Sequence, residues 1–312
     1  MLATVTAGNF AQLGVRFVIG PVVPLVLVEF GASRSGVGGA LTAMWAVYAL
    51  AQFPSGVFAD RFGERALLLT GLVGTVLGAV AVALAPSLVL FGAALVLLGA
   101  GAGLFFSPGS SLLSRVYDEH GGALSALTAG GALAGGIFPA GAGIVGVRYG
   151  WRTAVAGAAL VSLPAVLATV LYIPKTPAAA PEKGLSELVN VRRVVTMMAR
   201  PSLAYTAGIA VLTGFTFQAI SSFLPTFMVQ YRSVDPGTAG VLFAVVFGIS
   251  SLAQPVAGKV SDAVSRDFAI GMSAALTASA FAVLLGVDGT VGLLGGTVLL
   301  GMGVSWPGTV QA

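Results

Sequence analysis

Apolar residues in this chain gather into long runs separated by short polar breaks. Ten runs stand out, at 4–28, 37–59, 66–85, 88–111, 123–147, 153–173, 203–228, 239–256, 268–287 and 291–311. A helix needs about 20 predominantly apolar residues to cross about 30 Å of hydrocarbon. Each run is therefore read as a spanning helix. The breaks carry turn residues: GASRSG, APS, RYGWR, VDPG and DG. Glycines run through the fifth and sixth spans and leave their division open.

Composition supports lipid as the surrounding solvent. The 312 residues are 57% hydrophobic and 8% charged, where a soluble domain carries about 25% charged residues. The absence of cysteine excludes disulfides and thiolate metal sites. The one histidine, His120, falls in a polar loop, and no cofactor is expected. The first run starts almost at Met1, exceeds a signal peptide's apolar region and lacks a basic start, so it reads as a retained span.

Basic residues set the orientation. With the N-terminus cytoplasmic, inner loops hold Arg61, Arg65, Arg115, Lys175, Lys183, Arg192, Arg193, Arg200, Lys259 and Arg266, and outer loops hold Arg34, Arg148, Arg152 and Arg232. Ten against four favours that orientation in a multi-pass protein of the cell membrane. The same distribution explains the net charge of +4 without nucleic-acid binding. One long polar segment, 174–200, divides a six-span unit (1–173) from a four-span unit (201–312). Its LSELVNVRRVV is either a solvated tether or a short amphipathic surface helix.

The two units repeat each other. GVFADRFGER begins at Gly56, and a weaker copy, GKVSDAVSR, begins at Gly258. Gly56 to Gly258 and Asp60 to Asp262 are both 202 residues. Pro24 matches Pro225, Pro54 matches Pro255, and VLLGAG at 96–101 matches VLLGMG at 298–303. Matches at nearly one offset indicate a parallel duplication. The tenth span aligns with the fourth, so the second unit is expected to be incomplete, lacking counterparts of the fifth and sixth.

GVFADRFGER resembles the loop signature of the major facilitator superfamily, G-x-x-x-D-R-x-G-R-[RK]. Gly56, Asp60, Arg61, Gly63 and Arg65 match, and Glu64 stands where a basic residue is usual. The repeat, the basic central loop and GWR at 150–152 are similar to that family as well. The resemblance implies an all-α membrane fold with a six-plus-six helix repeat. It also implies alternating access and a gating role for the 56–65 loop and its copy at Gly258 and Asp262. Arg115, at the inner end of the fourth span, is the expected partner of Asp60. Read from the residues alone, Asp60 is a dipole-stabilised residue at the start of the third helix. Two family marks are altered: ALVLLGAGAG has no embedded arginine, and GGIFPAGAGIVG has Phe138-Pro139 where Gly-Pro is usual.

Arg16 is the one ionisable residue deep in a predicted span. A charge at a helix centre costs about 2.5–3.5 kcal/mol on insertion scales. Asn9, Gln12 and Arg16 share a helical face, which is expected to line a central cavity where Arg16 binds an anionic group. The bland alternative is a structural arginine bonded to backbone carbonyls at the kink of Pro21 and Pro24. Trp45, Tyr48 and Gln52 on the second span, and Gln218 and Ser222 on the seventh, are the further binding candidates. Each also serves as an ordinary interhelical contact. Thr213, Phe217 and Ser221 lie on the seventh span beside them, and the glycines at 131, 135, 141 and 143 read as packing positions.

The expected function is a secondary transporter of a small solute, with an organic anion first because the deep charge is positive. It is expected to be monomeric in the lipid bilayer, with the coupling ion, proton or sodium, left open. Alternatives are a proton-coupled drug or metabolite exporter, which needs an embedded acid not found in these spans, and a non-transporting remnant. An enzyme would need clustered nucleophiles, bases or metal ligands at membrane depth, and none is present in the sequence.

Overall fold

A computed structural model of the chain describes residues 1–117, 120–175, 177, 178 and 201–304. The LSELVNVRRVV segment, the basic residues Lys183, Arg192, Arg193 and Arg200, and the tail from 305 lie outside the described residues. Among the described residues there are eleven helices and no strand: α1 (Leu2–Glu29), α2 (Arg34–Phe62), α3 (Glu64–Leu84), α4 (Leu88–Gly103), α5 (Phe106–Val116), α6 (His120–Tyr149), α7 (Trp151–Tyr172), α8 (Pro201–Tyr231), α9 (Pro236–Ala263), α10 (Arg266–Gly286) and α11 (Gly289–Gly303). Eight spans are long and apolar enough to cross a membrane, with α4 and α5 counting as one. α2 makes a ninth, bent by 46° beside Pro54, as expected where proline removes a helical hydrogen bond. α11 is apolar and shorter.

Two sequence expectations change. The fourth span is two helices, broken at Leu104 and Phe105. Pro108 lies in the first turn of α5, where its missing N–H is tolerated, and it cannot donate back to the carbonyl of Leu104. His120 is the first residue of α6 rather than a loop residue.

The turns follow local chemistry. Single glycines separate α2 from α3 and α6 from α7, Gly63 at φ 84° and Gly150 at φ 87°, a region that strongly favours glycine. Ser33, Ser87, Asp235 and Ser265 each accept a backbone N–H in the first turn of the helix that follows.

α1 is the central helix, flanked by α6, α7, α8 and α9. α6 packs broadly on α9, and α3 on α4 and α7. Close approach relies on missing side chains. A Cβ on Gly20 would stand 2.4 Å from the Ser221 carbonyl oxygen, and one on Gly240 would stand 2.9 Å from Cα of Gly143. One on Gly131 would meet Leu13 and one on Gly135 would meet Phe247, whereas Gly141 faces open space. Gly20 and Ser221 are 201 residues apart, the repeat offset of the proline pair in the same two helices. Residues related by a rotation axis can touch only close to that axis, so a pseudo-twofold relation passes between α1 and α8. Arginines bind equivalent carbonyls in both units: Arg152 donates to Ala85 O and Arg232 to Val287 O, each at 2.8 Å.

Candidate functional site

α1 carries the buried polar groups from which a site can be built. Asn9 and Gln12 are each 1% exposed and Arg16 is 3% exposed. The shared face divides into two parts. Asn9 Nδ2 donates to the Leu127 carbonyl of α6 at 2.7 Å, and Gln12 Nε2 donates to Asn9 Oδ1 at 2.8 Å. This pair sits in the α1–α6 seam, away from the cleft described below, which corrects the expectation that the whole face lines one cavity.

Arg16 turns instead toward α2. Its guanidinium carbon lies 4.0 Å from the centre of the Tyr48 ring and 5.3 Å from that of Trp45. Such contacts contribute about 2 kcal/mol when water is excluded. Arg16 Nε and Nη2 are buried without a hydrogen-bond acceptor. The backbone-carbonyl anchorage considered as the bland alternative is therefore absent from these two groups. No carboxylate among the described residues forms an ion pair with Arg16.

Tyr48 and Trp45 meet edge to face at 5.7 Å. Together they form a wall between Arg16 and a cleft of about 570 Å³ between α2 and α8. Gln52, Gln218 and Ser222 also line this cleft. Trp45 Nε1 donates across it to Ser222 Oγ at 2.9 Å. The structure thus brings together five of the candidate residues, with Arg16 directly behind them. Gln218 Oε1 and Ser221 Oγ are buried without partners. Phe217 leaves the site and packs on Phe247, while the Thr213 hydroxyl bonds to the Ala210 carbonyl of its own helix.

The loop signature lies at the end of the molecule near Met1. Asp60 occupies the last turn of α2, not the start of α3, because Gly63 is the break; Glu64 holds the first turn of α3. Glu64 also takes the partner expected for Asp60: Arg115 Nη2 is 2.7 Å from Glu64 Oε1. Glu64 is 5% exposed and Asp60 is exposed. Arg65 donates to the Val170 carbonyl of α7 at 2.8 Å. Gly56 approaches α5, with Ser107 Oγ 3.2 Å from where its Cβ would stand. Arg61 lies over Phe62. In the second copy, nothing lies within 4 Å of that point on Gly258, and Asp262 is exposed in α9. At the opposite end, Glu29 accepts from Trp151 and Arg152, joining α1 to α7. Sequence reasoning missed the Glu64–Arg115 pair, although Glu64 had signalled it by standing at a usually basic position.

The site holds no cluster of metal-binding side chains among the described residues. What it offers is an unneutralised guanidinium, an aromatic wall and amide and hydroxyl groups around a cleft.

Comparison with known proteins places this architecture. Residues 5–312 match the family model described as Major Facilitator Superfamily. A nitrite extrusion protein of Bacillus subtilis (strain 168) is 24% identical over 247 residues, covering 78% of this chain and 60% of that protein's length. A bacterial homolog of the human lysosomal transporter Spinster, inward-facing and unoccupied, superposes with a TM-score of 0.82 at 16% identity, over 99% of this chain and 73% of that one. A D-xylose-proton symporter superposes with a TM-score of 0.71 at 15% identity, over 98% of this chain and 80% of that one.

Proposed function

This chain belongs to the Major Facilitator Superfamily, and from that premise we propose that it is a secondary transporter of a small organic anion, with Arg16 as the anchor for the negative group. One observation carries the reading: Arg16 is buried at membrane depth with two N–H groups unpaired, directly behind the wall of a cleft between α2 and α8. A buried charge without a counter-charge is expensive, and an anionic substrate is the natural compensation. Charge-assisted hydrogen bonds to a carboxylate are stronger than the stacking they would replace. Substrate binding would therefore exchange the Tyr48 ring for a carboxylate.

The proposed cycle rocks 1–173 against 201–312 about the α1–α8 contact, with 174–200 as the connecting segment. The N-terminus is placed on the cytoplasmic side of the cell membrane. The 56–65 loop, held by Glu64–Arg115 and Arg65–Val170, serves as the cytoplasmic gate, with Asp60 and Arg61 facing the moving unit and Gly258 and Asp262 as the counterpart. A contact made across the gate between the two units must form and break every turn, so its net contribution is limited to a few kcal/mol. A proton or sodium ion is the coupling ion of this scheme, and the working unit is a monomer.

A second reading has its own support. The nitrite extrusion relative suggests export of a small inorganic oxyanion, which would use the same guanidinium.

Thermal unfolding of the purified chain against a panel of carboxylates tests the class. Stabilisation by carboxylates that disappears in Arg16→Ala is expected. Stabilisation that persists in that variant would remove Arg16 from the site.

A further inference from the structure

An apolar groove of about 280 Å³ runs between α6 and α7 and shares no lining residue with the α2–α8 cleft. Its floor is buried: Ala142 of α6, Ala154 and Ala158 of α7, and Phe138, which meets Phe10 edge to face at 5.1 Å. Its rims, Ile137 of α6 and Val161 of α7, are each more than half exposed. Two glycines keep the trough open. A Cβ on Gly141 of one wall, or on Gly157 of the other, would meet no atom within 4 Å. In a membrane-spanning bundle such a surface faces hydrocarbon. A chain seated in the trough gains dispersion contacts from both walls and the floor.

The shape of the trough selects its occupant. On α7 it extends from Thr153 to Val161, and on α6 from Val145 back to Ile137, about 12 Å along the bundle in each case. The volume spread over that length gives a mean cross-section of about 23 Å². A docked helix, 10–12 Å across, presents about 80–110 Å². The trough therefore fits a single unbranched hydrocarbon chain and not a helix.

One end of the trough carries a charge. It starts in the first turn of α7, at the end of the molecule where Arg148 occupies the last turn of α6. Arg148 follows Gly141 by seven residues and Ile137 by eleven, so it continues their helical stripe beyond the trough. It is exposed, and no carboxylate among the described residues forms an ion pair with it. Asp235, which lines an adjoining cleft with Arg148, instead accepts the Thr238 backbone N–H at 2.9 Å. Tyr149 beside Arg148 is exposed, an aromatic residue of the kind enriched at headgroup level.

We propose that this groove binds an anionic phospholipid of the surrounding bilayer, with one acyl chain in the trough and the phosphate at Arg148. The site is independent of Arg16 and of the transported solute.

Native mass spectrometry of the purified full chain tests the proposal, with equal amounts of phosphatidylglycerol and phosphatidylcholine bearing the same acyl chains. Retained phosphatidylglycerol is expected to exceed phosphatidylcholine about fivefold, the equivalent of about 1 kcal/mol for one basic residue near a headgroup. Arg148→Gln should bring the two lipids within about twofold of each other and leave phosphatidylcholine retention unchanged. Gly141→Leu and Gly157→Leu each put a side chain into the trough. Each should reduce retention of both lipids at least about tenfold, as the loss of two buried methylenes would. Neither should lower Tm, because leucine is the better helix former and its Cβ meets open space. Lipid retention by both leucine variants at the wild-type level overturns the groove. A phosphatidylglycerol preference that survives Arg148→Gln overturns the headgroup assignment. A lipid-free dimer that both leucine variants dissociate gives the trough to a second copy of the chain and overturns the proposal.

Discussion

α1 and α8 are two versions of one helix. They run parallel, carry prolines at matching positions (Pro24 and Pro225), and touch at Gly20 and Ser221. Yet 83% of the most apolar stretch of α1 is buried, against 22% in α8. The position 201 residues after Arg16 is Phe217, which packs on Phe247. Duplication therefore supplies a symmetric frame, and the chemistry is asymmetric. The charge sits on the enclosed copy, and the cleft-lining amide Gln218 sits on the other. The signature loops show the same contrast. The first copy is tied down by Glu64–Arg115 and Arg65–Val170, whereas the second has an exposed Asp262 and open space at Gly258.

The largest stability difference between the copies is expected at the helix contact. Gly20→Ala drives a methyl into the Ser221 carbonyl and should destabilise by about 1–3 kcal/mol. Gly214 in α8 meets nothing within 4 Å. Gly214→Ala should be neutral or stabilising by up to about 1 kcal/mol. Thermal unfolding in detergent compares them, and equal effects would place the contact elsewhere.

Next come the loops. Glu64→Ala removes a charge-assisted contact worth about 1.5 kcal/mol. Asp262→Ala should cost within about 0.5 kcal/mol, as an exposed substitution. Parallel denaturation of the two variants checks this. A larger loss at Asp262 would reverse the ranking of the loops.

The smallest effect is expected at Asp235, the cap of α9. The Thr238 hydroxyl and then its backbone N–H hold this carboxyl below the usual range. A lowered folded-state pKa gives stability that is present above the unfolded value and lost as pH falls through the folded one. Asp235→Asn keeps the cap, since asparagine is an equally good N-cap. The advantage of wild type over the variant should therefore shrink from pH 7 toward pH 3, measured as a difference in Tm. An advantage unchanged over that range would contradict the carboxylate's role.

Much of this was legible in the residue pattern. The apolar runs gave the spans, and the deep charge of Arg16 stood out because nothing else in the spans is ionisable. Trp45, Tyr48, Gln52, Gln218 and Ser222 could be grouped because aromatic and amide residues share faces at helical spacing. The break in the fourth span depended on Pro108 placed one turn inside an otherwise apolar run, a signal too short to outweigh the hydrophobicity around it. The partner of Arg115 depended on which residue ends α2. Gly63 ends it, which moved Asp60 into the last turn and put Glu64 in reach of Arg115. Asn9 and Gln12 were assigned to the wrong surface because their partner, the Leu127 carbonyl, is a backbone group with no side-chain signature.

The central claim is that the asymmetry of α1 and α8 exists to present one positive charge to a substrate. Uptake of a labelled carboxylate into proteoliposomes by wild type, Arg16→Lys and Arg16→Ala tests it most directly. Losing the charge should reduce uptake in Arg16→Ala by at least about 30-fold, the equivalent of about 2 kcal/mol. Arg16→Lys should fall between, because a point charge lacks the planar fork that grips a carboxylate with two bonds. Wild-type uptake by both variants would contradict the account.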